Sequence, residues 1–279
     1  MTEPFLGSEA LVAGRVTCHQ LRHGCVRMHQ DVYLPSGVAR TPTVNAQAAW
    51  LRSRRRGVLA GWSASALHGA RWIDATEPAT IIDSNRRPTA GIRVWADSIE
   101  PDEITAIGGM AVTTPARTAL DLASRLPLHR AVAAVDALLR ATHLKPVDVE
   151  PLVERYRGRR NIRRVRPVLD LADGGAESPR ETWLRLVVIR HRLPRPQTQV
   201  LIRNEYGVVI AQADLGWPER AIALEYEGAH HRLDRRQFAK DIRRLEAMTE
   251  AGWIVVRITS ADTEATVIRR VKAAFARRT

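Results

Sequence analysis

The chain has 279 residues, 45% of them hydrophobic, and a formal net charge of +13 at pH 7. This length exceeds one ordinary compact core, so we expect two domains or three modules. No apolar run reaches membrane-spanning length, and the start, MTEPFLGSEA, has an acid where a secretory signal would have basic residues, which argues against membrane and secreted proteins. We therefore expect a cytoplasmic protein with no membrane contact.

Residues 1–40 predict a short helix, SEALVAGRVTCHQLRH, followed by a tight turn at Gly24 and an alternating run, CVRMHQDVYLP, that indicates a hairpin. A helix followed by a small hairpin is the outline of a winged helix. The outline is partial, because the segment has little room for the preceding helix that a full helix-turn-helix requires.

Residues 41–125 predict an α+β region. Segment 79–97 indicates two strands joined by an Asn-Arg-Arg-Pro turn. The stretch VTTPARTALDLASRL indicates a helix that begins after Thr114, with Pro115 in its first turn. This first part of the chain is therefore expected to be mainly helical with some strands.

Residues 126–173 form a predicted helical, arginine-rich connector, and the net charge favours a polyanionic partner because neutralised phosphates release counterions. We take DNA as the first candidate and RNA as the weaker one. Arginine runs also form solvated helix faces and linkers, so the two readings stay open. The candidate phosphate contacts are Arg55, Arg56, Arg159, Arg160, Arg163 and Arg164.

Residues 174–279, after a break at Asp173, read as helix, strand, hairpin, helix, strand and helix. A hairpin strand followed by a helix and another strand is a βαβ arrangement, so we expect an α/β fold with a mixed sheet flanked by helices. Its first helix, ESPRETWLRLVVIRHRL, has Ser178 and Glu181 at the spacing of a capping box. Glu181 thus has a structural role available, and it is also a candidate metal ligand.

The stretch QADLGWPERAIALEYEG predicts a hairpin whose four-residue turn, 218–221, places Asp214 opposite Glu225. Gln212 and Glu227 share their face, because strand side chains alternate. Carboxylates this close raise one another's pKa unless a cation neutralises them, and a hard divalent ion suits oxygen ligands. We predict a Mg²⁺ site, with Mn²⁺ as a substitute; the alternative is a solvated outer face.

Several strings of this second part resemble one known family: AESPRETWLRL, QTQV, the acidic hairpin with EYEG, HHR, DIRRLEAM and GWIVVRIT. Together, over about residues 174–279, they are similar to the very-short-patch-repair-endonuclease-like branch of the PD-(D/E)XK nuclease superfamily, which includes C-terminal domains of unknown function. The strings HQDVYLP, SALHGARW and VTTPARTALDLA resemble abortive-infection type IV antitoxin proteins.

The nuclease resemblance implies a catalytic site on the hairpin, in which bound Mg²⁺ supplies the water that attacks a phosphodiester. Asp214 and Glu225 match the two metal acids, and Glu181 matches the helical acid before them. Gln199 matches a glutamine that points into such sites. The superfamily's lysine is replaced here by Glu227, and His231, or else His230, stands where the branch places a histidine.

Two functions follow. The first is a Mg²⁺-dependent DNA endonuclease with Asp214, Glu225, Glu227, His231 and Gln199 as its catalytic set and Glu181 as a further ligand. The alternative is a catalytically inactive DNA-binding transcriptional regulator or antitoxin of a toxin–antitoxin system, with a toxin as partner. Loss of metal-dependent cleavage in Asp214→Asn would support the first function, and metal-independent DNA binding that survives it would support the second. The sequence leaves the oligomeric state open.

Overall fold

The computed structural model describes residues 2–227 and 235–278. The chain divides into two compact units, Met1–Asp170 and Leu171–Thr279. Both units combine helices with sheets, which confirms the α/β fold class. In the described ranges, no helix has the combination of length and apolar character needed to cross a membrane.

The first unit opens with a small three-stranded antiparallel sheet and two short helices. In chain order these are β1 (Phe5–Leu6), α1 (Gly7–Val12), α2 (Cys18–His23), β2 (Cys25–His29) and β3 (Val32–Pro35). The strand order is β1-β3-β2. The single helix predicted here was wrong, because Gly14 takes a left-handed φ of 63° and Thr17 starts a new helix through a capping box with Gln20. The result is a helix, a turn, a second helix and a hairpin.

A five-stranded mixed sheet follows. Its elements are α3 (Pro42–Arg52), β4 (Val58–Leu59), α4 (Gly61–Leu67), β5 (Ala79–Ile82), β6 (Ile92–Trp95), β7 (Ile104–Ile107) and β8 (Met110–Thr113). The strand order is β6-β5-β4-β8-β7, and β5 pairs with β6 in parallel. The two strands predicted in segment 79–97 are therefore present, but the parallel pairing shows that the segment between them is a crossover rather than a hairpin turn.

Four helices complete this unit: α5 (Pro115–Arg125), α6 (Leu128–Thr142), α7 (Glu150–Arg155) and α8 (Val165–Leu171), the last of which ends one residue into the second unit. The predicted start of α5 is confirmed, since the Thr114 side chain caps the helix by accepting from the backbone N–H of Arg117. The buried stripe of α6 includes Val132, Val135 and Leu138.

The second unit is one four-stranded sheet with helices. Its elements are α9 (Pro179–Arg190), β9 (Gln197–Arg203), β10 (Val209–Trp217), β11 (Ile222–Glu227), α10 (Arg235–Glu250), β12 (Ile254–Thr259) and α11 (Glu264–Ala276). The strand order is β12-β11-β10-β9, with β11 and β12 parallel and the other pairs antiparallel. This confirms the predicted mixed sheet with its βαβ unit. Trp217 anchors the core, edge-on to Phe275 at 4.9 Å between ring centroids.

Candidate functional site

The acidic hairpin has the predicted register. Leu215 pairs with Leu224, which places Asp214 opposite Glu225, and the turn runs through Pro218–Arg220 to Ala221 in the left-handed region at φ 46°. The backbone pairing of the two strands ends at Leu215 and Leu224. Next to it, the Asp214 side chain replaces a backbone acceptor, because its Oδ2 accepts from the backbone N–H of Tyr226 at 2.8 Å. The two acids thus lie where strands β10 and β11 stop pairing.

The two acids are not on a solvated face. Glu225 is only 6% exposed, and Asp214 is half-buried. Burial raises the pKa of both carboxyl groups, and the positive charge of Arg244 opposes that rise. The alternative prediction of an ordinary outer strand face is therefore wrong for Glu225.

Arg244 of α10 supplies the cation that faces Glu225. Its Nη1 lies 2.7 Å from Glu225 Oε1 and its Nη2 lies 3.0 Å from Oε2, a two-pronged pairing. The same Nη1 donates to the Gln212 carbonyl at 3.3 Å. Next along the strand, Glu227 is ion-paired with Arg257. Both hairpin glutamates are thus neutralised by arginines from the neighbouring helix and strand.

Glu181 is buried at the start of α9, where the predicted cap is confirmed. Ser178 Oγ accepts from the Glu181 N–H at 3.2 Å and donates to Glu181 Oε1 at 2.8 Å. Glu181 Oε2 accepts from the Glu177 N–H at 2.8 Å. Burial raises the pKa of Glu181, and nearby Asp214 adds to that rise.

Gln199 connects these acids. It stands in β9 with a left-handed φ of 52°, unusual for a residue other than glycine. Its Nε2 donates to Glu181 Oε2 at 3.3 Å, and its Oε1 accepts from Gln212 Nε2 at 2.7 Å. The structure therefore brings together four predicted site residues: Asp214, Glu225, Glu181 and Gln199. The candidate histidines His230 and His231 lie outside the described residues.

These side chains, as arranged, do not fit a divalent cation. Both oxygens of Glu225 face Arg244, and both oxygens of Glu181 accept hydrogen bonds. Among residues 2–227 and 235–278, no group of three or more His, Cys, Asp or Glu side chains is placed to hold a metal. A hard ion needs free carboxylate oxygens, and here an arginine holds those of Glu225.

The half-buried Asp214 gives a pH-dependent prediction. Its raised pKa means that the folded protein holds this proton more tightly than the unfolded chain, so stability is lost as pH rises through the folded-state pKa. Asp214→Asn removes the ionisable group but can still accept from Tyr226. We expect the free energy of unfolding of the variant to increase relative to that of the wild type as pH rises from about 4 to about 8. Urea unfolding at several pH values tests this, and a constant difference between the two proteins would contradict it.

In the first unit, a buried ionic network surrounds Arg117, which has no exposed side-chain surface. Its Nε lies 3.0 Å from Asp121 Oδ2, and its Nη1 donates to Glu103 and, at 3.1 Å, to Tyr156 Oη. The Tyr156 hydroxyl donates to Glu103 Oε1 at 2.8 Å. Burial and this hydrogen bond raise the pKa of Tyr156 to about 12, so the phenol stays protonated.

Two more arginines complete the network from the side of the predicted connector. Arg155 Nη1 donates to Glu103 Oε1 at 2.8 Å. Arg159 Nη2 lies 2.6 Å from Asp97 Oδ2 and 3.1 Å from Asp121 Oδ1. The network thus joins α5 to residues 155–159 through hydrogen bonds to the buried carboxylates of Glu103 and Asp121.

A family model described as AbiEi antitoxin C-terminal domain matches residues 32–171, which contain this whole network. The chain belongs to this AbiEi antitoxin family. Two uncharacterized proteins of Mycobacterium tuberculosis, from two strains, are each 36% identical to the chain over 180 residues, covering 63% of it. The chain covers 64% of the length of these relatives, less than two thirds. No solved structure shows a significant match.

Within the AbiEi family segment, the arginines predicted to contact DNA have different surroundings. Arg159 is engaged with Asp97 and Asp121, as above, whereas Arg160, Arg163 and Arg164 are exposed. In the cluster at 52–56, Arg55 makes two hydrogen bonds of 2.6 Å to Glu9, and Arg56 is exposed. Phosphate contact by the exposed arginines stays a prediction.

Sequence reasoning missed the network that the AbiEi family segment buries. One signal was present: Arg117 and Asp121 are four apart on α5, so they share a face, and that face also carries Leu120 and Ser124 of the buried stripe. Charges within an apolar stripe indicate a buried pair. Helix α2 precedes the family match. It carries four exposed polar side chains to which sequence reasoning also gave no role: His19, Gln20, Arg22 and His23.

Proposed function

We propose that this protein is a DNA-binding antitoxin-type regulator whose second unit acts without metal-dependent cleavage. The observation that carries the proposal is the AbiEi antitoxin match over residues 32–171, together with the two short helices α1 and α2 and the β2–β3 hairpin at the start of the first unit. The chain's net charge of +13 suits a nucleic-acid partner. A toxin is the protein partner that an antitoxin implies.

Helix α2 is the proposed DNA-reading element. None of its six residues is buried, so its side chains are available to the edges of bases. Arg22 has the paired donors that read guanine, and the following strand β2 adds exposed Arg27. In a winged helix the second helix enters the major groove while the hairpin lies against the backbone.

Arg22→Gln tests this assignment. We expect the affinity for a duplex selected from a random library to fall roughly tenfold or more, because a base contact contributes about 1–3 kcal/mol. Arg277→Gln, an exposed arginine of the second unit, is the matched control for charge and should bind as the wild type does. Fluorescence anisotropy with EDTA and with Mg²⁺ measures both. Equal affinity of Arg22→Gln and Arg277→Gln would refute the reading role of α2.

A second candidate function is a Mg²⁺-dependent DNA endonuclease of the PD-(D/E)XK type. The observation in its favour is the convergence of half-buried Asp214 with buried Glu225 and Glu181 beside Gln199. It requires Arg244 to release Glu225, because the guanidinium holds both carboxylate oxygens. The regulator has no such requirement, which is why we place it first.

Incubation of the purified protein with supercoiled and mismatched duplex DNA, plus Mg²⁺ or Mn²⁺, decides between the two functions. We expect DNA binding and no cleavage, with Asp214→Asn and Glu225→Gln binding as the wild type does. Cleavage that both variants lose would establish the endonuclease. Single-stranded RNA as a competitor shows whether RNA is the preferred polymer.

A further inference from the structure

A cavity of about 310 Å³ opens on the first unit, apart from helix α2 and from the acidic hairpin. It lies among α4, the strands β5 and β6, the end of α5 and the residues after Arg159. Its lining includes two tryptophans and three arginines: Trp62, Trp95, Arg93, Arg125 and Arg160. Indole rings stack on flat rings, and guanidinium groups bind anions. A cavity lined by two indoles and three guanidinium groups therefore suits a flat ring attached to a negatively charged group.

The aromatic part of the cavity is held in place. The Arg125 guanidinium carbon lies 3.9 Å from the centroid of the Trp95 ring, so one face of that indole is covered. Gly61, at φ 50°, lies against the same ring, where an added Cβ would come within 2.6 Å of it. Trp62, the next residue on α4, is half-buried. The Trp95 ring is therefore positioned before any ligand arrives.

The charge in the cavity is positive. Arg93 and Arg160 are exposed, and in the part of the chain that the structure describes neither forms an ion pair. The acid in the wall, Asp121, is already neutralised by Arg117 and Arg159. Arg125 is ion-paired with Asp97. Two guanidinium groups remain for an anion, and a guanidinium presents paired donors to a phosphate.

We propose that this cavity binds one nucleoside monophosphate unit, with the base against the tryptophans and the phosphate on Arg93 and Arg160. The volume lies at the lower end of the range of about 300–1,000 Å³ for small-molecule sites, which suits one nucleotide and excludes a duplex. The unit is either a free nucleotide or the terminal nucleotide of a single strand, since both present the same ring and phosphate. The inference does not rest on DNA binding by α2.

Isothermal titration of the full chain tests the proposal with the four ribonucleoside 5′-monophosphates, the four nucleosides and inorganic phosphate. We expect at least one monophosphate to bind at least roughly tenfold more tightly than its nucleoside and than phosphate, because ring and phosphate contacts add. Arg93→Gln and Arg160→Gln should each weaken the monophosphate roughly tenfold. Trp62→Leu should weaken both the monophosphate and the nucleoside.

Two controls complete the experiment. Arg277→Gln, with the same loss of charge outside the cavity, should bind the monophosphate as the wild type does, and circular dichroism shows whether each variant is folded. Titration with a single-stranded oligonucleotide that has a 5′- or 3′-phosphate distinguishes a free nucleotide from a strand end. Tighter binding of the oligonucleotide than of the monophosphate assigns the cavity to a strand end, and the reverse assigns it to a free nucleotide. Equal binding of phosphate and monophosphate, no binding of any monophosphate, or equal binding by wild type and Arg93→Gln would overturn the proposal.

Discussion

Arg117→Met is expected to lower the free energy of unfolding of the first unit by about 3–5 kcal/mol, because it removes the fully buried cation between Glu103 and Asp121 and leaves these acids with the more exposed Arg155 and Arg159. Glu103 is 1% exposed and Asp121 is fully buried, so water cannot replace the guanidinium. Methionine fills a similar volume, which keeps the loss of packing small. Hydrogen exchange of the α5 amides measures this unit separately from the other, whose transition need not coincide.

Arg166→Gln is the matched control for this experiment. Arg166 is 53% exposed and pairs with Glu150 and Glu154 at the surface, where an ion pair contributes at most about 1 kcal/mol. Adding Glu103→Gln to Arg117→Met should recover part of the lost stability, because it removes one buried charge that has lost its fully buried cation. If Arg117→Met and Arg166→Gln were equally stable, the network would have no special role in holding the unit together.

Arg244→Met is expected to destabilise the second unit by about 2–3 kcal/mol at neutral pH, since it removes two hydrogen bonds to a charged, buried group. The effect is smaller than that at Arg117, because the Arg244 side chain is 39% exposed and water screens part of the interaction. It should shrink on acidification, because the raised pKa of Glu225 lets that carboxyl take up a proton. Exchange of the β10 and β11 amides reports on this unit.

The double variant Arg244→Met with Glu225→Gln separates the pair from its surroundings. Removing both charges should cost less than removing Arg244 alone, with a coupling free energy of about 1–3 kcal/mol. Strictly additive effects would mean that the pairing contributes nothing in solution. The same variants bear on function, since freeing Glu225 from Arg244 without gaining Mg²⁺-dependent cleavage would count against the endonuclease.

Local structure was the part most open to prediction from sequence. The four-residue turn fixes the register of the hairpin, so Asp214 opposite Glu225 followed from counting residues. Ser178 before Pro179 fixed the start of α9 in the same way. The split of the first helix was missed because its deciding features, the left-handed Gly14 and the Thr17 cap, lie inside a run that keeps its apolar spacing.

Ion pairs between residues far apart in the chain could not be predicted from the sequence. The spacing does not show that Arg244, nineteen positions after Glu225, pairs with it. Sequence alone therefore suggested a metal ion as the neutralising cation. Arg159 in its basic run was assigned to phosphate contact, yet its guanidinium lies against Asp97, sixty-two positions earlier. Such pairs depend on how elements pack, which periodicity does not encode.

The network around Arg117 also has a consequence for synthesis on the ribosome. Arg117 and Tyr156 are 39 positions apart, and Asp97 and Arg159 are 62 apart. At roughly 5–20 residues per second, Tyr156 is made about 2–8 s after Arg117, and for that interval Glu103 lacks the hydroxyl that donates to it. A messenger with slow codons after position 125 would lengthen that interval, during which α5 lacks its contacts with Tyr156 and Arg159 and is open to chaperones and proteases.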